Sequence, residues 1–325
     1  MSGLGNASGI IRVAVTVEPE SWILRQVAEH FRQLASKRIE VLPLDLGEPV
    51  PQTADAVLYV NWPHLLDCAP GRKDMPGLLM VQHMDRTAFR LRYLLWKHPR
   101  MQVVCMAENW SERLRRYFIP AHRLHLVPFG VDLGLFQPAE LAANGKRTRI
   151  GFVGRAYPDG RKGEDRLLAI SRQLSPERFE FVLVGDRWEA LAAALKARGF
   201  STTYHRYLAG AAVPGVMATT DVLLVCSRNE GGPQPVLEAL ACGVPVVSTK
   251  VGFVTDLQKR LPQYVSLFDS HAVVPEILAD ARRKRAMAQA NSALIRQELQ
   301  SFTWESWAGG TEHLLVQAAA MTNID

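Results

Sequence analysis

The stretch from Val222 to Ser248 constrains this chain more than any other. An apolar strand, Val222-Leu-Leu-Val-Cys226, leads into the glycine turn of Glu230-Gly-Gly-Pro-Gln-Pro-Val-Leu-Glu238. A short helical run follows, and after Gly243 comes a second strand, Pro245-Val-Val-Ser248. Strand, tight turn, helix and strand in so little sequence is the repeating unit of a parallel sheet covered by helices. At Gly231 and Gly232 no Cβ stands in the way, so backbone N–H groups and the helix N-terminus are open to a ligand phosphate. Two carboxylates frame the turn. Glu230 lies on it and can accept hydrogen bonds from sugar hydroxyls; Glu238, eight positions later on the helix, can hold a diol such as a ribose.

The rest of the chain repeats this alternation. Residues 10–17, 38–44, 56–61, 78–82, 103–106 and 124–127 read as strands, with a helix over roughly 22–36 that Ser21 would N-cap and that sets Ile23, Val27 and Phe31 on one face. The turn-rich stretch 128–147 reads as a linker. Beyond it, strands are expected at 150–154, 179–185, 202–207, 221–226 and 245–248, and helices at 163–174 and 187–198. One long helix is expected over 281–299. Thr303 is placed to N-cap a last helix, in which Gly309-Gly310 marks a candidate kink. The expectation is an α/β protein with two doubly wound domains, 1–130 and 147–300, closed by a helix over 301–325.

Composition narrows the class. With 48% hydrophobic and 22% charged residues the chain reads as globular, and no apolar run approaches the ~20 residues of a membrane span. Cys68, Cys105, Cys226 and Cys242 are widely spaced with no C-x-x-C pair, so neither a structural zinc site nor a disulfide framework is expected. The small, polar start Met1–Gly9 lacks the form of a signal peptide, and a cytoplasmic location follows as the expectation. The net charge of +6 favours an anionic partner: a nucleotide sugar, a lipid phosphate or an acidic membrane face. No nucleic-acid recognition motif accompanies it.

The Glu230/Glu238 pair resembles the Glu-x7-Glu signature of family 4 retaining glycosyltransferases, which have the GT-B fold of two Rossmann-like domains facing a cleft. Two further segments are similar to that family. Pro128-Phe-Gly-Val-Asp-Leu-Gly-Leu-Phe-Gln-Pro138 resembles its linker entry, and Gly154-Arg155 with Lys162-Gly163 resembles its phosphate segment. The resemblance covers the C-terminal half and the linker; the N-terminal half matches in architecture. It implies a nucleoside-diphosphate sugar as donor, no metal and no further cofactor, and a sugar or lipid-linked acceptor, with cell-surface polysaccharide or glycolipid synthesis as the setting. It implies that Arg155 and Lys162 neutralise the departing diphosphate, that Glu230 meets the donor sugar, that Gly154, Gly231 and Gly232 let backbone approach the donor, and that Glu238 accepts both ribose hydroxyls. It further implies that the last helix crosses back onto the first domain, and that His83, after the strand ending at Gln82, touches the transferred sugar or the acceptor.

Two departures stand out. Gly232-Pro233-Gln234 replaces the commoner Phe-Gly pair after Glu-Gly, and the loop after the first strand, Glu18-Pro-Glu-Ser-Trp22, contains no glycine. Glu20, Ser21 and the segment Asn61-Trp62-Pro63-His64 are weaker acceptor-side candidates, and Asp85 either acts with His83 or caps a helix. Two rival functions share the fold: a nucleotide-sugar 2-epimerase, which would turn over a UDP-sugar without acceptor, and a non-catalytic carbohydrate-binding or scaffold protein, which would bind no nucleotide.

Residues 86–100 mix arginine, lysine and histidine with Phe89, Tyr93 and Trp96 at helical spacing. Such a helix either lies on an anionic membrane, placing the protein peripherally on the inner face, or buries its aromatics in the core and leaves its arginines in water.

Overall fold

A computed structural model describes residues 9–18, 22–68, 74–82, 88–139 and 145–320, with backbone alone for Trp22 and Ile23. His83, Asp85, Glu20 and the Ser21 cap lie outside the described residues. The chain divides into two compact units. One runs to Phe129 and takes in Trp304 onward; the other is Gly130–Thr303.

The first unit holds six parallel strands: β1 Ile11–Val17, β2 Ile39–Asp45, β3 Ala56–Tyr59, β4 Gly77–Val81, β5 Met101–Cys105 and β6 Leu124–Leu126. Their order is β2-β1-β3-β4-β5-β6. The central strands are unbroken apolar runs, and β3 and β4 are buried along their whole length, as strands covered on both faces must be. Pro43 sits inside β2, which tolerates it because β2 is an edge strand. Against this sheet pack the helices Trp22–Leu34 and Trp304–Ala320. His30 stacks on Trp304 at 4.2 Å, and Phe31 meets Trp307 edge-on at 6.0 Å. The last helix runs unbroken through Gly309-Gly310, so the expected kink is absent. Gly310 faces Val127 closely, which explains its missing side chain.

The second unit holds β7 Thr148–Val153, β8 Phe179–Val184, β9 Thr202–His205, β10 Val222–Val225, β11 Val246–Ser248 and β12 Val265–Leu267, all parallel. Their order is β12-β11-β10-β7-β8-β9. The expected helix over 281–299 is in fact two, Ala281–Ala290 and Ser292–Glu298, followed by a 3-10 turn, Leu299–Phe302. The break falls at Asn291, whose backbone, at φ −105 and ψ 22, leaves the helical range while its own N–H and its side-chain amide both donate to the Met287 carbonyl, at 3.0 and 2.8 Å. Residues 130–139, read as linker, are tied into this unit. Gln234 Nε2 donates to Gly130 O, and the Arg296 guanidinium donates to Leu133 O and Phe136 O.

In each sheet the chain reverses direction of travel once, between β1 and β3 in the first and between β7 and β10 in the second. In open α/β sheets ligands bind beyond the carboxyl ends of the strands at such a switch point.

Candidate functional site

Two loops leave the switch point of the second sheet, one after β7 and one after β10. The first begins at Gly154, in the φ +147 conformation that glycine adopts freely. Its N–H donates to Val184 O, and its carbonyl accepts from the Trp188 indole N–H at 2.5 Å. Gly185 packs so closely on that carbonyl that any Cβ there would collide with it. The loop returns through Gly160 to Lys162 and Gly163. Gly163 has φ +74, and a Cβ on it would strike the Cys226 carbonyl at the end of β10. These glycines therefore press the two loops together, and the helix Glu164–Ser171 begins directly behind.

That closeness brings the predicted residues Lys162 and Glu230 into contact. Lys162 Nζ lies 2.5 Å from Glu230 Oε1, both side chains largely buried at 17% and 12% exposure. Ser227 Oγ donates to the same carboxylate oxygen at 2.9 Å. The Ser227 carbonyl is fixed in turn by Thr249 Oγ1 at 2.6 Å and approached by Arg166 Nη1. Arg228 closes the outer side: its guanidinium bonds Asp165 at 2.5 Å and Gly160 O at 2.6 Å. A shallow recess lies here, lined by Phe152, Val153, Lys162, Cys226, Ser227 and Pro233.

The remaining predicted residues of this unit lie on the same two loops and on the helix that follows. Gly154 backs onto the Lys162 stem, with Lys162 Cε 3.4 Å from where a Cβ would stand. Arg155 is 46% exposed and turns toward Asp186, 3.8 Å away, with Tyr157 alongside. Asp186 also holds Arg206, whose guanidinium keeps its carboxyl below the usual range against an opposing desolvation. Gly231 and Gly232 follow Glu230; a side chain at Gly232 would overlap the Phe253 ring. The helix Gln234–Ala241 then starts with Pro235 in its first turn. Gln234 Oε1 is buried there with no partner among the described residues. Glu238, on the same helix, is half-buried, and burial pushes its carboxyl up to about 7.

Sequence reasoning missed Ser227, Thr249 and the Arg228–Asp165 pair. Ser227 carried a signal, a hydroxyl directly after a predicted strand and three positions before Glu230. Among the described residues no group of three or more His, Cys, Asp or Glu is placed to hold a metal ion.

Residues 147–297 match the family model described as Glycosyl transferases group 1. A D-inositol 3-phosphate glycosyltransferase of Segniliparus rotundus is 31% identical over 222 residues, covering 60% of this chain and 47% of that protein. An MMP alpha-(1->4)-mannosyltransferase of Mycolicibacterium hassiacum is 28% identical over 225 residues, 65% of this chain and 52% of that protein. The chain thus spans about half the length of the curated relatives it matches. The crystal structure of Anabaena Alr3699/HepE in complex with UDP superposes with a TM-score of 0.73 at 14% identity, covering 95% of this chain and 100% of that one. At that identity the likeness is one of fold.

Proposed function

We propose that the protein moves a sugar from a nucleoside-diphosphate sugar to an acceptor hydroxyl, with retention of configuration and without a metal ion; the match of residues 147–297 to the group 1 glycosyl transferase model and the two six-stranded parallel sheets support this reading. The observation that carries the reading is the Lys162–Glu230 pair at the switch point of the second sheet. An ammonium has three donors, so Lys162 can keep Glu230 and still meet an oxygen of the donor's diphosphate. Arg155, exposed near the start of the same loop, supplies the second cation. Glu230 accepts a hydrogen bond from the donor sugar and steadies positive charge at its anomeric carbon. Glu238 receives the ribose diol. In the transfer, the bond from the anomeric carbon to the diphosphate oxygen breaks and one to the acceptor oxygen forms on the same face. The acceptor's proton passes to the departing diphosphate, whose growing negative charge the two cations offset.

The test is a thermal-shift panel of UDP, GDP, ADP, CMP and dTDP, first without metal and then with magnesium. A ligand at ~100 times its Kd adds about 2.7 kcal/mol of apparent stability. One diphosphate is expected to shift the protein without metal. Lys162→Ala should remove most of that shift. Arg155→Ala, more exposed and freer in water, should weaken binding only about three- to tenfold. A flat panel would sink the reading, and turnover of a nucleotide sugar without acceptor would point to epimerisation instead.

The helix Ala88–Lys97 supports a second statement, that the protein docks on an anionic membrane. Ala88, Leu91, Leu94 and Leu95 bury its inner face. The reading that put its aromatics in the core is corrected: Phe89, Tyr93 and Trp96 are 63%, 52% and 75% exposed. The rings join one another, Tyr93 stacking near Trp96 and Phe89 meeting Tyr117 edge-on. Phe118 is also exposed and adopts φ +60, a strained conformation for a bulky side chain that costs about 1 kcal/mol or more. Arg90, Arg92 and Lys97 of this helix and Arg113, Arg115 and Arg116 of the helix Glu108–Arg116 are exposed, and the acidic residues of the two helices are Glu108 and Glu112. Exposed rings together with exposed cations suit the headgroup layer of an anionic bilayer. The protein should co-sediment with phosphatidylglycerol-rich vesicles and not with phosphatidylcholine. The variant Trp96→Ser/Phe118→Ser should partition at least about tenfold less. Equal sedimentation with both vesicle types would remove this statement.

A further inference from the structure

The first sheet carries a polar assembly at its own switch point. Thr16 and His64 are almost fully buried, at 0% and 2% exposure, yet both are polar; Thr16 lies near the carboxyl end of β1, and His64 opens the short helix His64–Asp67 that follows β3, the two strands between which the order reverses. The Val60 N–H donates to Thr16 Oγ1 at 3.0 Å. Thr16 Oγ1 lies 2.8 Å from His64 Nδ1, and His64 Nε2 lies 2.7 Å from Glu18 Oε1. The hydroxyl accepts from the backbone, so its proton is available to Nδ1, and the ring proton then sits on Nε2 facing the carboxylate. From β4's end, the buried Gln82 side chain donates to Val60 O at 2.7 Å, holding the same residue from its other side.

An apolar side chain would close this sheet end without the desolvation that buried threonine and histidine incur. What the chain Val60–Thr16–His64–Glu18 achieves is the fixed direction of one carboxylate, still 23% exposed, at the place where such sheets receive ligands. The second sheet is built alike. There a hydroxyl, Ser227, and a nitrogen, Lys162 Nζ, hold the Glu230 carboxylate at the switch between β7 and β10.

We infer that Glu18, oriented by His64 and Thr16, is a hydroxyl-binding residue of the first unit and that it seats the acceptor through a neutral sugar or polyol hydroxyl. This rests on the transferase reading for the word acceptor; the binding site itself does not. A carboxylate accepts from hydroxyls and repels phosphate oxygens, so a phosphate is not the group held at Glu18. His64 and Thr16 are positioning residues, acting through Glu18.

The experiment uses the full chain with methyl α-D-glucopyranoside, methyl α-D-mannopyranoside and myo-inositol, against myo-inositol 1-phosphate. Saturation-transfer NMR reads binding directly. At least one neutral compound should give a signal that Glu18→Gln and His64→Ala reduce about tenfold or more, while the nucleoside-diphosphate thermal shift of both variants stays as in the wild type. With the neutral compound that supports transfer, Glu18→Gln should raise the acceptor KM about tenfold with a smaller change in kcat. Unaltered signal and KM in Glu18→Gln would overturn the inference, as would binding of the phosphorylated compound alone. If no nucleoside diphosphate binds, the transferase reading fails by itself; the NMR result on Glu18 still decides this site.

Discussion

Glu230→Gln abolishes sugar transfer, by about 10³-fold or more in kcat, and leaves a folded protein. The substitution keeps the size of the side chain and one acceptor oxygen, so Ser227 can still donate to it. It removes the charge that faces Lys162 at 2.5 Å and, in the proposed complex, the charge that steadies the anomeric carbon. Lys162 is then left largely buried without its carboxylate, and it turns toward any diphosphate more strongly. Nucleoside diphosphate should therefore bind the variant at least as well as the wild type while transfer is lost. Such a split separates a role in the transition state from one in ground-state binding. Lys162→Ala should lose both. Because the two side chains act on each other, the double variant should be little worse than the poorer single one. Wild-type rates from folded Glu230→Gln would end the assignment.

How far these residues were legible from sequence depends on what fixes each of them. The long apolar strands, the glycine turns and the Lys162 and Glu230 positions announce themselves locally, since a buried parallel strand needs an apolar run and a close approach needs glycine. The strand β12 Val265–Leu267 went unread because three residues at a sheet edge carry no usable period. The helix over 281–299 was read through Asn291, whose side-chain bond to Met287 is invisible to a propensity argument. Arg155 was foreseen as a phosphate ligand, but its partner in this structure, Asp186, comes from the loop after β8. The Glu18–His64 pair joins residues 46 positions apart, and only the strand order of the first sheet makes them neighbours. In each case the missing information is a partner that topology supplies.

Glu238 is the site residue for which stability and function should oppose each other. Burial raises its carboxyl from 4.5 to about 7. Between those values the folded protein holds a proton that the unfolded chain has released. Stability conferred by that proton is thus full below about 4.5 and is lost as pH rises through 7, where the buried carboxylate must ionise. Fully developed, a shift of that size corresponds to roughly 3 kcal/mol. Glu238→Gln has no such charge to bury, so without nucleotide it should be more stable than the wild type at pH 8, by up to about 3 kcal/mol, and nearly equal to it at pH 5. If the ionised carboxylate is what accepts the ribose diol, the same variant should bind nucleoside diphosphate about tenfold or more weakly at pH 8. Wild-type affinity should fall as pH drops from 8 to 6, by about tenfold more than the variant's. The β-phosphate titrates identically in both titrations, so the difference between them isolates Glu238. A variant that is less stable at pH 8, or that binds with the wild-type pH profile, would show that this carboxylate serves packing rather than the ribose.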